Sequence, residues 1–197
     1  MKRSLLLGII SAAGCFGLAG FTVVALQPEN APPAKGQPGN ADLGMMPGDA
    51  HKQLAKMVGD WTTETTLDMG GPAMPATKGT AKVTSILDGR FFTEAGDGEM
   101  MDMKFASSKM IGYNNATEKY EAVWAYTMST GMMTMTGISE DDGVTISFDA
   151  SSEQSPGKRD AVKIVRKWID DDHFTVELTS EAEGMKIGMT TKYTRKK

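Results

Sequence analysis

Cysteine and histidine are nearly absent from this chain of 197 residues, which contains one cysteine and two histidines. A single cysteine excludes a framework of disulfide bonds and any zinc or iron–sulfur site built from several cysteines. The histidines, His51 and His173, lie far apart in the sequence, so we do not expect a catalytic metal held mainly by histidine. Aromatic residues make up only 7% of the chain, and the sixteen methionines stand out against them.

An excess of basic charge is also missing, because 21 Lys and Arg stand against 25 Asp and Glu, for a formal net charge of −4. A nucleic acid is therefore not an expected partner, since its phosphates require a basic face. The sequence also lacks the Gly-x-Ser-x-Gly elbow, the phosphate loop, the Gly-x-Gly-x-x-Gly turn and the His-Glu-x-x-His zinc motif. We predict no enzymatic activity, no catalytic residue and no cofactor.

The N-terminus has the pattern of a targeting segment, with Lys2 and Arg3 followed by an uncharged apolar run over residues 5–26. This pattern predicts a signal peptide cleaved after about Ala25, or a membrane anchor, because about 20 apolar residues can span a bilayer. Lipidation at Cys15 is a third alternative, but the residues after it stay apolar, which favours a simple small residue of the leader. We expect a periplasmic or secreted protein whose only membrane contact is an uncleaved segment 5–26.

Residues 27–48 combine five prolines with glycine, alanine and asparagine and contain few large apolar side chains. Such a stretch cannot bury enough surface to offset its ordering entropy, so it is predicted to be a disordered linker. The predicted organisation is a leader over 1–26, this linker over 27–48 and a β-barrel domain over 49–197.

The body of the chain reads as one helix followed by strands. Residues 49–59 show helical spacing of apolar side chains between Asp49, a good N-cap, and Gly59, a stop signal. From Trp61 onward the apolar residues recur at every second position, which is typical of strands with one buried face. Turn signals separate the strands at Asp88-Gly89, Asn114-Asn115, Asp141-Asp142-Gly143, Asp170-Asp171-Asp172 and Glu183-Gly184.

About ten such strands are near the limit at which an open twisted sheet must curl or close. Nothing helical alternates with them, so a parallel sheet is not expected. The predicted fold class is all-β, a single antiparallel up-and-down barrel preceded by a short helix, because closure removes the exposed edges.

The apolar face of these strands predicts a barrel interior that binds a small apolar or amphipathic ligand. Arg166 shares its face with Ile164 and Trp168, where a guanidinium could hold a ligand carboxylate; a structural salt bridge or an exposed position is the alternative. The predicted lining is Trp61, Leu67, Met69, Tyr120, Trp124, Tyr126, Met128, Arg166, Met185, Met189 and Tyr193.

Methionine clusters over residues 100–103 and 128–135 offer a different function. Thioethers are soft ligands that suit copper(I), and Met101, Met103, Met133 and Met135 form pairs on strand faces. The alternative is that these flexible side chains fill the core or line a pocket. A structural envelope protein without a ligand is a third possibility that the sequence leaves open.

Several motifs occur together in a fixed order along residues 49–197. They are Met57-Val58-Gly59-Asp60-Trp61, Leu87-Asp88-Gly89-Arg90-Phe91, Ile111-Gly112-Tyr113-Asn114-Asn115-Ala116-Thr117-Glu118-Lys119-Tyr120, Trp124, Ser129-Thr130-Gly131-Met132-Met133 and Tyr193-Thr194-Arg195-Lys196. This ordered set resembles the bacterial secreted proteins known as domain of unknown function 1579, and the resemblance implies no catalytic residues.

The Gly-x-Trp that opens the first predicted strand is similar to that of lipocalins, fatty-acid-binding proteins and the haem-binding nitrobindins. This calycin-like resemblance implies a closed antiparallel barrel for small apolar ligands, with Trp61 packed at its base. A haem role would require an axial histidine inside the barrel, and His173 is the only candidate at a strand edge.

Overall fold

A computed structural model describes residues 44–72, 74–155, 158–182 and 184–197. The predicted leader and nearly all of the predicted linker, residues 1–43, lie outside the described residues. No helix in the described part of the chain is both long and apolar enough to cross a bilayer. The elements are α1 (Asp49–Ala55), β1 (Gly59–Asp68), β2 (Thr77–Ile86), β3 (Phe91–Met100), β4 (Met103–Asn114), β5 (Lys119–Tyr126), β6 (Met133–Ile138), β7 (Thr145–Ser155), β8 (Lys158–Asp170), β9 (His173–Ala182) and β10 (Met185–Arg195).

The ten strands form a closed antiparallel barrel in which every strand pairs with its neighbours in sequence. Strand β1 also pairs with β10, with Trp61 opposite Arg195 and Asp68 opposite Gly188, and this ladder closes the barrel. Closure satisfies the backbone groups that two edge strands would leave unpaired. The predicted all-β up-and-down barrel with a short N-terminal helix is therefore confirmed.

Antiparallel order gives the barrel two distinct ends. We call the end that carries α1 the closed end. Strands β2, β4, β6 and β8 finish there, at Ile86, Asn114, Ile138 and Asp170. We call the opposite end the open end. Strands β1, β3, β5, β7 and β9 finish there, at Asp68, Met100, Tyr126, Ser155 and Ala182, and the connections that follow these residues also belong to it.

Helix α1 is shorter than its apolar pattern predicts, because it ends at Ala55 and Gly59 already begins β1. Gly59 has φ of +138°, a left-handed value that favours glycine and turns the chain from helix to strand. The N-cap is Gly48 rather than Asp49, and its backbone N–H donates to Nδ1 of His51 at 3.1 Å. The imidazole therefore holds the start of the helix.

Aromatic residues pack the closed end around Trp61, which is fully buried. Its indole N–H donates to the carbonyl oxygen of Met57 at 2.9 Å, and the ring of Phe174 lies 4.8 Å away, edge to face. The guanidinium of Arg195 lies 4.2 Å from the Trp61 ring and donates to the carbonyl of Lys56 at 2.7 Å. Trp61 thus packs at the barrel base, as the resemblance implies, and ties the helix to the last strand.

Strand bounds depart from the sequence pattern at a few positions. Strand β3 runs on to Met100, although residues 96–100 contain two glycines and an aspartate, because β4 pairs with it along that length. Strand β5 ends at Tyr126, before Met128. Strand β8 runs to Asp170, the first residue of the predicted turn, and β9 begins directly after that turn at His173. Ladder pairing decides these limits, and intrinsic β propensity does not.

Candidate functional site

The barrel interior contains a cavity of about 110 Å³ to which all ten strands contribute. Its wall is mainly apolar, with Ile111, Met135, Phe148 and Leu178 among the side chains that line it. Met57, just beyond α1, also lines it from the closed end. The described side chains therefore do not fill the barrel solidly.

Small residues on the inward face of β2 and β3 leave this space. Gly79, Gly96 and Gly98 all line the cavity at positions where strand alternation would otherwise place an inward side chain. A Cβ atom on Gly79 would lie 2.4 Å from the carbonyl oxygen of Asp97 and 2.8 Å from Oγ1 of Thr63. The close approach of neighbouring strands thus requires glycine here, and the absent side chain widens the interior.

A buried hydrogen-bonded group lies on the cavity wall around Glu94, which is 7% exposed. Its Oε1 accepts a hydrogen bond from Nζ of Lys109 at 3.1 Å and another from the hydroxyl of Tyr193 at 3.1 Å. Burial raises the pKa of Tyr193 well above its usual value, and the neighbouring Glu94 charge raises it further. The phenol is therefore neutral at physiological pH and acts as a donor.

Arg166 is a buried cation on the same wall, with 4% of its surface exposed. Its guanidinium donates to Sδ of Met57 and to the carbonyl oxygen of Gly143 at 3.4 Å, and it lies 5.9 Å from the ring of Trp168. Burial lowers the pKa of Arg166 to about 10, so it stays protonated at neutral pH. Among the described residues, no carboxylate oxygen lies within 4.0 Å of it.

Trp124 and several hydroxyl residues add to the polar part of the wall, among them Thr65 and Thr191. The indole ring of Trp124 lies 5.6 Å from Nζ of Lys109, its register partner on β4. Hydroxyls of Thr65 and Thr191 bond to each other at 3.0 Å across the β1–β10 ladder. The wall thus offers hydroxyl, indole, ammonium and guanidinium groups beside an apolar surface, an arrangement that suits an amphipathic molecule.

Four residues of the predicted lining meet at this cavity: Trp124, Arg166, Met189 and Tyr193. None of the other predicted residues whose side chains the structure describes lines it. Trp61 and Tyr120 both belong to the buried core, in which the ring of Tyr120 lies 6.5 Å from that of Phe148. The pattern assigned both residues to the inner face, but a face does not specify depth along the barrel.

The remaining predicted lining residues lie towards the open end. Met69 and Met128 are 41% and 39% exposed, because β1 and β5 end before them and strand alternation no longer directs their side chains. Leu67 and Tyr126 are half-buried and do not contact the cavity. The side chain of Met185 lies outside those that the structure describes.

The structure does not bring the four candidate copper ligands together. Met133 and Met135 are buried inside the barrel, whereas Met101 and Met103 are exposed at the open end. Met135 pairs with Ala122, which pairs with Ile111 of β4. Ile111 is about 26 Å along β4 from Met103, at roughly 3.3 Å per residue. One metal ion cannot contact both pairs.

Neither histidine faces the cavity. His173 lies at the closed end with its side chain 46% exposed, and its Nδ1 is 2.7 Å from Oδ1 of Asp170. His51 lies in α1. The residues present therefore do not fit an axially ligated haem. Within the described part of the chain, no three His, Cys, Asp or Glu side chains are grouped so that they could hold a metal ion.

The sequence reasoning missed Glu94, Lys109 and the inward glycines. Glu94 shares its strand face with the buried Phe92, and Lys109 shares its face with Ile111. A charged residue at an inward position of an alternating strand was the signal that could have identified both.

The closed ten-stranded barrel with an internal cavity defines a calycin-like protein. The chain belongs to the family described as "Protein of unknown function (DUF1579)", whose sequence model matches residues 46–195. No curated protein matches the sequence significantly.

Two solved structures are similar in fold. The S-type phycobiliprotein lyase CPES from Guillardia theta aligns with a TM-score of 0.53 and 12% identity, over 81% of this chain and 99% of the lyase. Rv2717c from M. tuberculosis aligns with a TM-score of 0.53 and 13% identity, over 76% of this chain and 99% of that protein. At these identities the likeness shows a shared barrel fold.

Proposed function

We propose that this protein is an extracytoplasmic binding module for a small apolar or amphipathic ligand, held in the barrel cavity. The observation that carries the proposal is the cavity itself, whose apolar wall includes a few polar groups from facing strands. Ligand sites in proteins commonly combine an apolar lining with a few polar groups that set orientation.

The size of the cavity limits the ligand. At about 110 Å³ it is somewhat smaller than the roughly 150 Å³ apolar cavity known to take up benzene in another protein. The enclosed space therefore holds at most about a single ring or a short chain. Longer chains would extend past Met100, which lines the cavity at the open end, and methionine side chains adapt readily to such contacts.

The binding test fills the cavity by mutation. Ala122 is buried and lines the cavity, so the side chain of Ala122→Leu would occupy ligand space. Octanol, titrated by calorimetry, is expected to bind the wild-type protein and to lose at least about tenfold in affinity in this variant, since each lost buried CH₂ weakens binding.

The matched control is Ala95→Leu, the same substitution at an exposed position on β3. It should bind octanol as the wild type does. Equal octanol affinity in a folded Ala122→Leu variant, or no binding by the wild type, would contradict the proposed function.

The extracytoplasmic location is proposed from the N-terminal pattern, in which Lys2 and Arg3 precede the uncharged run 5–26. Native mass spectrometry of the chain purified from its own cell envelope tests it. We expect the mass of a chain that begins near Leu26, with a bound small molecule that denaturation releases. Recovery of the protein from the cytoplasm with an intact Met1 would contradict the location.

A further inference from the structure

Hydrogen-bond donors are in surplus inside the barrel. Across the described residues, three buried side-chain polar atoms have no hydrogen-bond partner: Nε1 of Trp124, Nε of Arg166 and Nε1 of Trp168. All three are N–H donors. A buried donor without a partner is costly, so such groups in a native protein call for an explanation.

Positive charge is in surplus at the same place. The ionisable groups buried or half-buried in the cavity wall are Arg166, Lys109 and Glu94, and Tyr193 is neutral beside them. Glu94 forms a 3.1 Å ion pair with Lys109 and also acts on Arg166 at longer range, so one carboxylate faces two cations, and no carboxylate oxygen of the described residues lies within 4.0 Å of the guanidinium. Burying a charge that is only partly compensated is expensive. The charged side chains at the cavity mouth, Lys78, Asp97 and Glu99, are exposed, and solvent screens them.

Arg166 lies deeper in the barrel than the apolar residues Leu178 and Met189. Arg166 lies on the closed-end side, where it contacts Met57 and Gly143. Leu178 pairs with Ile164 and with Met189, one inward position closer to the open end than Arg166. A bound molecule would therefore have its polar group deep in the barrel and its apolar part towards the mouth.

We propose that the ligand is a monocarboxylate with an apolar tail, whose carboxylate lies near Arg166, Lys109 and Trp124 and whose tail lies along Leu178 and Met189. The inference rests on the proposed function and specifies its ligand class. A carboxylate carries one negative charge and accepts hydrogen bonds without donating any. It therefore offsets both surpluses, whereas an alcohol leaves the charge uncompensated and an ammonium adds to it.

The test compares octanoate, octanol and octylamine, which differ only in the headgroup, by calorimetry on the wild-type chain stripped of bound molecules. Octanoate should bind at least about tenfold more tightly than octanol, the size expected for a charged hydrogen bond, and octylamine should bind most weakly. Octanol binding as tightly as octanoate would overturn the carboxylate assignment and leave the cavity function standing. Failure of all three to bind would overturn the function as well.

Two variants test whether the preference for octanoate over octanol depends on Arg166. Arg166→Met should reduce octanoate affinity to about that of octanol, because the preference depends on the charge of the guanidinium. Arg90→Met removes the same charge from a loop outside the cavity, where Arg90 donates to the carbonyl of Leu87, and should leave the preference intact. An unchanged preference in Arg166→Met would overturn the proposal.

A second readout covers the case in which Arg166→Met does not fold. In the wild-type protein, the indole N–H resonance of Trp124, assigned with Trp124→Phe, should shift with octanoate and much less with octanol. Lys109→Met should weaken octanoate binding selectively, since Lys109 is adjacent to that indole. No difference between the two ligands in either measurement would overturn the proposal.

Discussion

The two ends of this barrel differ in the kinds of side chain that form them. At the closed end, Trp61 and Phe174 are fully buried and Arg195 bonds to backbone carbonyls next to the helix. At the open end, Met101 and Met103 are 43% and 49% exposed. One end is thus held by aromatic packing and directional bonds, and the other presents flexible thioether side chains to solvent.

This contrast shows how a small barrel can be stable and still hold a cavity. Aromatic residues bury large areas and fix geometry, so the closed end supplies stability. Inward glycines such as Gly79 and Gly98 leave the open half underfilled. Regions with fewer buried contacts open most readily, so the proposed ligand would enter at the open end.

The largest effect is expected on the free energy of unfolding, which substitution of Trp61 should lower more than substitution of Trp124. Trp61→Ala should lower the free energy of unfolding by about 3–5 kcal/mol, because it removes a fully buried ring and leaves a cavity. Trp124→Ala should cost clearly less, because Trp124 is only half-buried and already borders a cavity. Urea denaturation of both variants measures the difference. Equal losses of unfolding free energy in the two variants would contradict the view that the closed end supplies most of the stability.

A smaller effect concerns the buried His51 at the closed end. Burial lowers its pKa, and the nearby Arg90 charge lowers it further, against a hydrogen bond with the backbone of Tyr113. Because the folded pKa lies below the unfolded value of about 6.5, the stabilisation is present above that value and is lost as the pH falls through the folded pKa.

Urea midpoints measured from about pH 7 to about pH 5 should therefore fall in the wild type and fall less in His51→Gln. His173→Gln is the matched control, since His173 is half-exposed in a surface pair with Asp170 that contributes little. A pH dependence that disappears in His173→Gln and persists in His51→Gln would contradict this prediction.

The smallest effect on stability is expected at the open end. Met103→Gln should change the free energy of unfolding by no more than about 0.5 kcal/mol, as is usual for an exposed position. Mild oxidation with peroxide, followed by peptide mass mapping, compares exposed with buried methionines. The exposed Met101, Met103 and Met132 should form sulfoxides before the buried Met57 and Met135. Oxidation of the buried pair at the same rate would show that the interior is not protected.

The sequence predicts faces better than depths. Strand alternation correctly placed Trp124, Met189 and Tyr193 on the inner face, and it did the same for Trp61, which packs below the cavity. An alternating pattern shows which face of a strand a residue lies on, but not how far along the barrel axis it lies. It therefore cannot distinguish residues that pack below the cavity from residues that line it. It also fails beyond a strand end, which is why Met69 and Met128 are exposed.

By itself, the sequence determined the class of fold: regular alternation, tight turns and one short helix allow an up-and-down barrel of about ten strands. Only the tertiary structure decided that Glu94, Lys109 and Tyr193 form one hydrogen-bonded group and that Arg166 lines the same cavity with no carboxylate oxygen of the described residues within 4.0 Å. These residues come from β3, β4, β10 and β8. Alternation is a local property of the backbone, whereas the cavity depends on the register between strands that are distant in sequence.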